Sequence, residues 1–180
     1  MNIIFLDIDG VLNTVYTKQR TKNGFTFVED RFISVLKQMK EELNAEIVLS
    51  STWREGWYHI EQGKESIDSS DFLELKDKLQ EFDIRLLDYT PPTLDKYKHL
   101  CFYHPNRAAE IQKWLDNWTG EPIEHFVILD DYPKMKPLGK YFIRISETEG
   151  LQQKHIRKAK QIFQKYSFQQ QKQFADMEKE

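Results

Sequence analysis

The chain reads IIFLDIDGVLN at residues 3–13, a short apolar run that ends abruptly in two aspartates and a glycine. An apolar run such as Ile3 to Leu6 is typical of a strand that is buried on both faces of a sheet. Asp7, Asp9 and Gly10 follow where that strand should end. In α/β proteins, ligands bind beyond the carboxyl ends of parallel strands. The stretch therefore predicts both a fold class and the place of its site.

Strand-like and helix-like segments alternate along the rest of the chain. Apolar residues at helical spacing predict four helices: Asp30–Leu43, Asp71–Phe82, a helix capped by Asn106 that ends before Gly120, and a C-terminal helix through Ile156 and Tyr166. Short apolar runs predict further strands at Ala45–Leu49, Ile84–Leu87, Phe126–Leu129 and Tyr141–Ile143, and Pro91-Pro92 interrupts regular structure. This order predicts an α/β fold with a mostly parallel five-stranded sheet and helices on both faces.

Composition limits the classes of function. With 180 residues, 39% of them hydrophobic, the chain is expected to form a single domain, 1–180, with a C-terminal helix and tail from about residue 151. A formal net charge of -3 argues against a protein held mainly on nucleic acid or an anionic membrane. Cys101 is the one cysteine, so no internal disulfide can form. We expect a soluble, cytoplasmic protein without a membrane partner, and the sequence leaves its oligomeric state open.

Polar clusters follow three of the predicted strands. Asp7 and Asp9 follow the first, SSTWR at 50–54 follows the second, and Asp130-Asp131 follows the fourth. Taken singly, Asp-Gly is a common turn signal and an Asp pair can cap a helix. Together, the clusters would meet at one rim of the sheet, where close carboxylates resist burial unless a cation joins them. An all-oxygen site suits Mg²⁺, so the sequence predicts a magnesium site.

In this order, the motifs resemble those of the haloacid dehalogenase (HAD) superfamily of phosphatases. FLDIDGVLN resembles motif one, IVLSSTWR motif two, NRAAEIQKWL the basic motif three, and FVILDDYPKM the acidic motif four. More narrowly, SSTWR, the arginine before EIQKWL, LDD and Glu149-Gly150-Leu151 resemble the HAD domain found in Swiss Army Knife RNA repair proteins. The similarity covers about residues 1 to 165 and implies a Rossmann-like HAD fold.

The resemblance implies a Mg²⁺-dependent phosphohydrolase that works through an aspartyl-phosphate intermediate. Asp7 would be the nucleophile, and Asp9 the general acid that then serves as base. Ser50 would hydrogen-bond the transferring phosphoryl group, and Arg107 would offset its charge. The implied Mg²⁺ ligands are the Asp7 carboxylate, the Asp9 backbone carbonyl, Asp130 and Asp131.

Further candidates surround this set. Ser51 and Arg54, which follow Ser50, are candidates for substrate binding, with a salt bridge as the alternative for Arg54. Motif three is commonly lysine in the superfamily, so Lys134 and Lys136 are rivals of Arg107 for the phosphate, or else solvated loop charges. The histidines show no metal-ligand spacing and receive no role: His59, His99, His104, His125 and His155.

The two intervals in which HAD phosphatases carry cap insertions are short here. Val15–Glu29 predicts a flap and Trp57–Ser70 a modest loop, hence a minimal or absent cap domain. An open site would admit a nucleotide or a nucleic-acid end, in agreement with the RNA-repair resemblance. Four aromatic residues could stack on a base or pack in the core: Phe25, Trp53, Trp57 and Tyr58. Four basic residues on the predicted C-terminal helix could follow a phosphate backbone or form its solvated face: Lys154, Arg157, Lys158 and Lys165.

Three classes of function remain open from the sequence. The favoured one is a phosphatase that acts on a phosphorylated substrate such as a nucleotide or nucleic-acid end. The alternatives are a HAD phosphotransferase with an acceptor other than water and a non-catalytic nucleic-acid-binding HAD module. The complete set of aspartates, together with Ser50, argues against the last of these.

Overall fold

The computed structural model describes residues 1–91 and 106–166. Some predictions concern residues outside these ranges: the second proline of Pro91-Pro92, His99, Cys101, His104 and the tail from Phe168 to Glu180. The described helices and strands are β1 (Asn2–Leu6), α1 (Asp30–Leu43), β2 (Ala45–Leu49), α2 (Arg54–Glu61), α3 (Ile67–Gln80), β3 (Leu86–Tyr89), α4 (Arg107–Asn117), β4 (His125–Asp130), β5 (Phe142–Arg144) and α5 (Gln153–Lys165). A short 3₁₀ helix, Leu138–Tyr141, precedes β5.

The strands form one parallel sheet in the order β3-β2-β1-β4-β5. In the register of the central strands, Leu6 lies beside Leu49 and Leu129. Two further backbone bonds extend the ladder, from Ser50 N to Leu6 O at 2.7 Å and from Asp7 N to Leu129 O at 2.9 Å. The residues that follow β1, β2 and β4 therefore share one edge of the sheet, as predicted.

Helices cover both faces of the sheet. On one face, Ile4 and Leu6 of β1 share a buried core with α1, α3 and α5. On the other, Ile3 and Phe5 share a core with α4. Each large apolar side chain buried in this way contributes roughly 1.5–3 kcal/mol. The apolar pattern of β1 thus places it at the centre of the sheet, and the predicted Rossmann-like α/β fold is confirmed.

The loop predicted between Trp57 and Ser70 is wrong, because this interval is largely helical. The interval Trp57–Ser70 was expected to be a loop, but it contains most of α2 and the start of α3. Gly56 lowers the helix propensity of α2, yet a Cβ on this glycine would lie 2.1 Å from the Asp68 carbonyl oxygen. The glycine is therefore needed for the close packing of α2 on α3. Helix α3 begins at Ile67, four residues before the predicted start, because the Ser66 side chain caps it by accepting a hydrogen bond from Ser69 N.

Other boundaries move by a few residues. Strand β3 runs two residues later than predicted, because Ile84 N still bonds back to Leu79 O at the end of α3. Tyr141 belongs to the 3₁₀ helix and not to β5. Helix α5 begins before Ile156, at Gln153, because the side chains of Gln152 and His155 form a capping box.

The segment between β1 and α1 is a short flap, which we define as residues 13–29. Its two arms pair at Arg20 and Thr26 in an isolated antiparallel bridge. The flap is attached to α3, because Asn23 Nδ2 donates to Asp71 Oδ1 at 3.1 Å. Across residues 1–91 and 106–166 we find no separate cap domain. The same ranges contain no helix with the length and apolar character needed to cross a membrane.

Candidate active site

Three aspartates meet at the carboxyl edge of the sheet. Asp7 follows β1, Asp130 ends β4 and Asp131 comes next, and one carboxylate oxygen of each lies within 4.8 Å of the others. Asp7 and Asp130 are buried. Octahedral Mg²⁺ holds its oxygens at about 2 Å, and hence roughly 3–4 Å from one another. The cluster could therefore hold a metal ion after a small contraction.

The charges of this cluster are unfavourable without a cation. Burial, together with the charge of Asp130, raises the pKa of Asp7 to about 8, although Arg107 opposes the shift. Burial also raises the pKa of Asp130 to about 6, and it raises the pKa of Asp131. A carboxyl group with a pKa near 8 is largely protonated at neutral pH and is then a poor nucleophile. A bound divalent cation would favour the charged forms, so the donor set fits Mg²⁺.

Gly10 leaves room for the third aspartate. Its φ of 73° lies in the left-handed region, which suits glycine. A Cβ on Gly10 would lie 2.7 Å from Asp131 Oδ2. The glycine of motif one is therefore required both by its backbone conformation and by the close approach of Asp131.

The side chain of Asp9 lies apart from the three clustered carboxylates, and the residue is exposed at the rim. Asn13 Nδ2 donates to Asp9 Oδ1 at 2.9 Å, and Trp53 Nε1 donates to Asp9 Oδ2 at 3.1 Å. Asn13 Oδ1 in turn accepts from Gly10 N at 2.9 Å. An accessible carboxylate fixed by two donors is suited to proton transfer. Asn13 was not among the predicted site residues, although its spacing of four residues from Asp9 was an available signal.

Arg107 is the cation that the fold brings to the aspartates. It opens α4, where the Asn106 side chain caps the helix by accepting from Ala109 N at 3.2 Å. Its Nε lies 3.3 Å from Asp130 Oδ2 and its Nη2 lies 3.8 Å from Asp7 Oδ1. Lys134, the rival candidate, is exposed in the loop after β4, as is Lys136.

A buried glutamate links Arg107 to Arg54. Glu110 Oε2 lies 3.3 Å from Arg107 Nη1, and Glu110 Oε1 lies 2.7 Å from Arg54 Nη2. Arg54 Nη1 also donates to Ser51 O at 2.9 Å. All three charged side chains are at most 6% exposed. Sequence reasoning missed Glu110, although its position three residues after Arg107 places both side chains on one face of the helix.

Four buried polar atoms near the ends of β2 and β3 have no hydrogen-bond partner among the described residues: Ser50 Oγ, Ser51 Oγ, Arg54 Nε and Thr90 Oγ1. Thr90 is adjacent to this end of β2, because its N donates to Leu49 O at 2.9 Å. Ser51 Oγ lies near enough to Asp7 to favour the charged carboxylate, without completing a hydrogen bond of normal geometry. Each unpaired buried donor costs about 1–3 kcal/mol, so this group is suited to an oxygen-rich anion.

The remaining aromatic and basic candidates lie in three places: beside the site, in the core and on the surface of α5. Phe25 and Trp53 line a cleft beside Asp9. Trp57 instead packs on Phe72 and Tyr89, with ring centroids 5.3 and 5.0 Å away. On α5, Lys154 forms an ion pair with Glu149.

The parallel sheet, its strand order and the aspartates at the ends of β1 and β4 define a Rossmann-like domain of the HAD type. A family model described as the HAD domain in Swiss Army Knife RNA repair proteins matches residues 3–156, and the chain belongs to this family. The match confirms the resemblance found in the motifs. A search of curated proteins gave no match. Membership of the HAD superfamily implies chemistry of the phosphohydrolase or phosphotransferase type.

Proposed function

We propose that this protein is a Mg²⁺-dependent phosphohydrolase in which Asp7 attacks phosphorus. The observation that carries the proposal is the cluster of Asp7, Asp130 and Asp131, in which Asp7 and Asp130 are buried and Asp131 is half-buried. Arg107 lies beside that cluster, as do the hydroxyls after β2 that have no partner among the described residues. Such a site combines a nucleophile, a place for a cation and donors for a phosphoryl group.

The proposed Mg²⁺ ligands are the carboxylates of Asp7, Asp130 and Asp131 and the backbone carbonyl of Asp9. When bound, the ion supplies the positive charge that allows an anionic carboxylate to approach an anionic phosphate. Arg107 supplies further positive charge from the start of α4. Ser50 and Ser51 donate hydrogen bonds to phosphoryl oxygens, which would give a partner to two hydroxyls that have none in the described part of the chain.

The proposed reaction has two displacements. First, a carboxylate oxygen of Asp7 bonds to phosphorus while the bond from phosphorus to the leaving oxygen breaks, and Asp9 donates a proton to that oxygen. Asp9, now a carboxylate, then takes a proton from water as the water oxygen bonds to phosphorus. Phosphate leaves and the Asp7 carboxylate is restored. The exposed position of Asp9 suits both transfers, since it must meet leaving group and water in turn.

Arg54 has a less direct part in this proposal. Its Nη atoms are engaged by Glu110 and Ser51, which leaves Nε for the substrate phosphate.

The substrate class that we propose is a nucleotide or a nucleic-acid end, in keeping with the description of the family as a domain of RNA repair proteins. An acceptor alcohol could replace water in the second displacement, because Asp9 stands at an open rim. The enzyme would then act as a phosphotransferase.

Phosphate release from a generic aryl phosphate, with Mg²⁺ and with a chelator, tests the proposal. We expect Mg²⁺-dependent release by the unaltered protein and none by Asp7→Asn, because an amide of nearly the same volume is a poor nucleophile. Circular dichroism checks that the variant is folded. Adding glycerol and measuring glycerol phosphate separates transfer from hydrolysis. Turnover by folded Asp7→Asn, or full turnover in chelator, would overturn the proposal.

A further inference from the structure

A cleft of about 280 Å³ adjoins the carboxylate of Asp9. It lies between the flap, the start of α2 and the first turns of α3. Its lining residues are Asp9, Phe25, Thr52, Trp53, Glu55, Asp68 and Asp71. In the proposed reaction, Asp9 protonates the leaving oxygen, so the leaving group must lie on the Asp9 side of the phosphorus. The cleft is thus positioned to hold the leaving group.

The lining of the cleft is acidic. Of the seven described residues that line it, four are Asp or Glu and none is Lys or Arg. Asp71 is only 4% exposed, and it accepts a hydrogen bond from Asn23 of the flap. Asp68 stands at the start of α3 and is exposed. A leaving group with its own negative charge would meet like charges here, whereas an ammonium group or an N–H donor would meet acceptors.

Aromatic rings form the other walls. The Trp53 ring is anchored by its hydrogen bond to Asp9 and by packing against Phe27, with centroids 6.4 Å apart. Phe25, at the tip of the flap, is 53% exposed although it is a large apolar residue. Aromatic faces attract cations and stack on flat bases, and nearby carboxylates add their own attraction for a cation or an N–H donor. The walls and the charges therefore favour the same kind of ligand.

Building on the proposed function, we propose that the cleft selects leaving groups that carry a positive charge or N–H donors and rejects those that carry a second negative charge. Two sources share this chemistry: the amino-bearing base of a mononucleotide and the ammonium of a phosphorylated amino alcohol. A polynucleotide end whose next phosphate enters the cleft is disfavoured. The cleft thereby narrows the proposed substrate class from a nucleotide or a nucleic-acid end to a mononucleotide or another small phosphate monoester.

Three small monophosphates of similar size test the charge rule with the full chain and Mg²⁺: phosphoethanolamine, glycerol phosphate and phosphoglycolate, with an aryl phosphate as reference. We expect kcat/KM to decrease in that order. An equal or higher kcat/KM for phosphoglycolate than for phosphoethanolamine overturns the inference while leaving hydrolysis intact. Failure to hydrolyse any substrate, the aryl phosphate included, would instead count against the proposed function.

A second arm separates the two sources. A preference for CMP over UMP identifies the amino-bearing base as the favoured group, since cytosine carries an amino group at C4 where uracil carries a carbonyl, and uracil offers only its N3–H as a donor. Equal rates for CMP and UMP, with a preference for phosphoethanolamine, identify the ammonium. A 5′-phosphorylated dinucleotide hydrolysed faster than CMP contradicts the rejection of a second phosphate.

Variants of the lining tie the selectivity to the cleft. Asp68→Asn removes one exposed carboxylate, and we expect the ratio of kcat/KM for phosphoethanolamine to that for phosphoglycolate to fall about two- to fivefold. Asp71→Asn should lower the same ratio, although it also alters the bond to Asn23. Asp77→Asn, an exposed change further along α3, is the matched control and should leave the ratio unchanged. A folded Asp68→Asn protein with an unaltered ratio would show that the cleft does not select the leaving group by charge.

Discussion

Arg107 lies between acidic side chains on two sides. Its guanidinium faces Asp7 and Asp130 on one side and Glu110 on another. A cation in the first turn of a helix is disfavoured by the helix dipole, so these acids are what holds it there. The arrangement leaves a positive charge directly beside the proposed nucleophile.

Substitution of Arg107 tests whether this charge acts on the phosphoryl group. Arg107→Ala should lower kcat/KM for an aryl phosphate by about two to three decades, the usual cost of removing one such donor. Arg107→Lys should be partly active, because it keeps the charge but loses the forked shape. Lys134→Ala, in the exposed loop, is the control and should be near normal. A crippled Lys134→Ala beside an active Arg107→Ala would move the phosphate-binding charge to the loop after β4.

The bond from Trp53 to Asp9 gives a second prediction. Trp53→Phe keeps an aromatic wall but removes the donor at 3.1 Å from Asp9 Oδ2. We expect kcat to fall about three- to tenfold for an alkyl phosphate, in line with the loss of one solvent-exposed hydrogen bond. The fall should be smaller for nitrophenyl phosphate, whose leaving group needs little protonation. Trp118→Phe, which loses only a surface bond to Glu121 O, is the control. Equal losses for both substrates would argue against a role in proton transfer.

At the scale of elements, α4 carries the charge network in its first turn. Glu110 balances two buried arginines, one on its own helix and Arg54 on α2. Removing one member of a buried ion pair leaves the other charge uncompensated, which usually costs more than the pair itself contributes. The helix position of Glu110 therefore joins motif two to motif three.

We expect Glu110→Gln to lower the free energy of unfolding by about 3 kcal/mol, because Arg54 and Arg107 would keep their burial but lose the shared counter-charge. Urea denaturation followed by circular dichroism measures this change. Glu41→Gln, an exposed change on α1, should stay within about 0.5 kcal/mol of the unaltered protein. A Glu110→Gln protein as stable as the Glu41→Gln control would show that the network adds nothing to stability.

Helix α5 begins with a titratable cap. Gln152 N donates to His155 Nδ1 at 2.9 Å, and burial lowers the pKa of His155 from 6.5 to about 4, assisted by Lys154 and Lys158. The unfolded chain therefore binds the proton more readily than the folded one between these two values. Stability from this group is complete above pH 6.5 and is lost as the pH falls towards 4.

His155→Gln keeps an acceptor for Gln152 N but cannot titrate. We expect the difference in Tm between the unaltered protein and this variant to shrink as the pH falls from 6.5 to 4. Comparing the two proteins at each pH cancels the contributions of the other acids. A difference in Tm that stays constant across this range would show that His155 is not responsible.

Helices and strands with a strong local apolar pattern could be predicted from the sequence. Those whose position depends on packing against a neighbouring element could not. Strand β2 and helix α1 have the predicted bounds, because their apolar spacing and length are sufficient. Helix α2 was missed because its helical structure depends on packing of Gly56 against α3. Strand β3 was displaced because Ile84 N still bonds back to Leu79 O at the end of α3, and because β2 is its one neighbour among the described strands.

In the whole molecule, the site forms because the strand order places β1 beside β4, which are far apart in the sequence. Asp7 and Asp130 are 123 positions apart, yet the pairing of β1 with β4 makes their carboxylates neighbours. This convergence was predictable, because it follows from parallel strands and apolar runs that end in polar residues. The links of Glu110 to Arg54 and of Trp53 to Asp9 were not, because they depend on side-chain directions across elements.

The proposed reaction requires a covalent bond between Asp7 and phosphorus, and trapping the phosphorylated enzyme would detect that bond. Asp9→Asn lacks the base that activates water, so the phosphorylated enzyme should accumulate with Mg²⁺ and an aryl phosphate. After acid quenching, mass spectrometry of the tryptic peptide 1–18 should show the mass of one added phosphoryl group, removable by hydroxylamine and absent when Asp7→Asn is added. An Asp9→Asn protein that releases the aryl alcohol while peptide 1–18 stays unmodified at every time point would rule out Asp7 as the nucleophile.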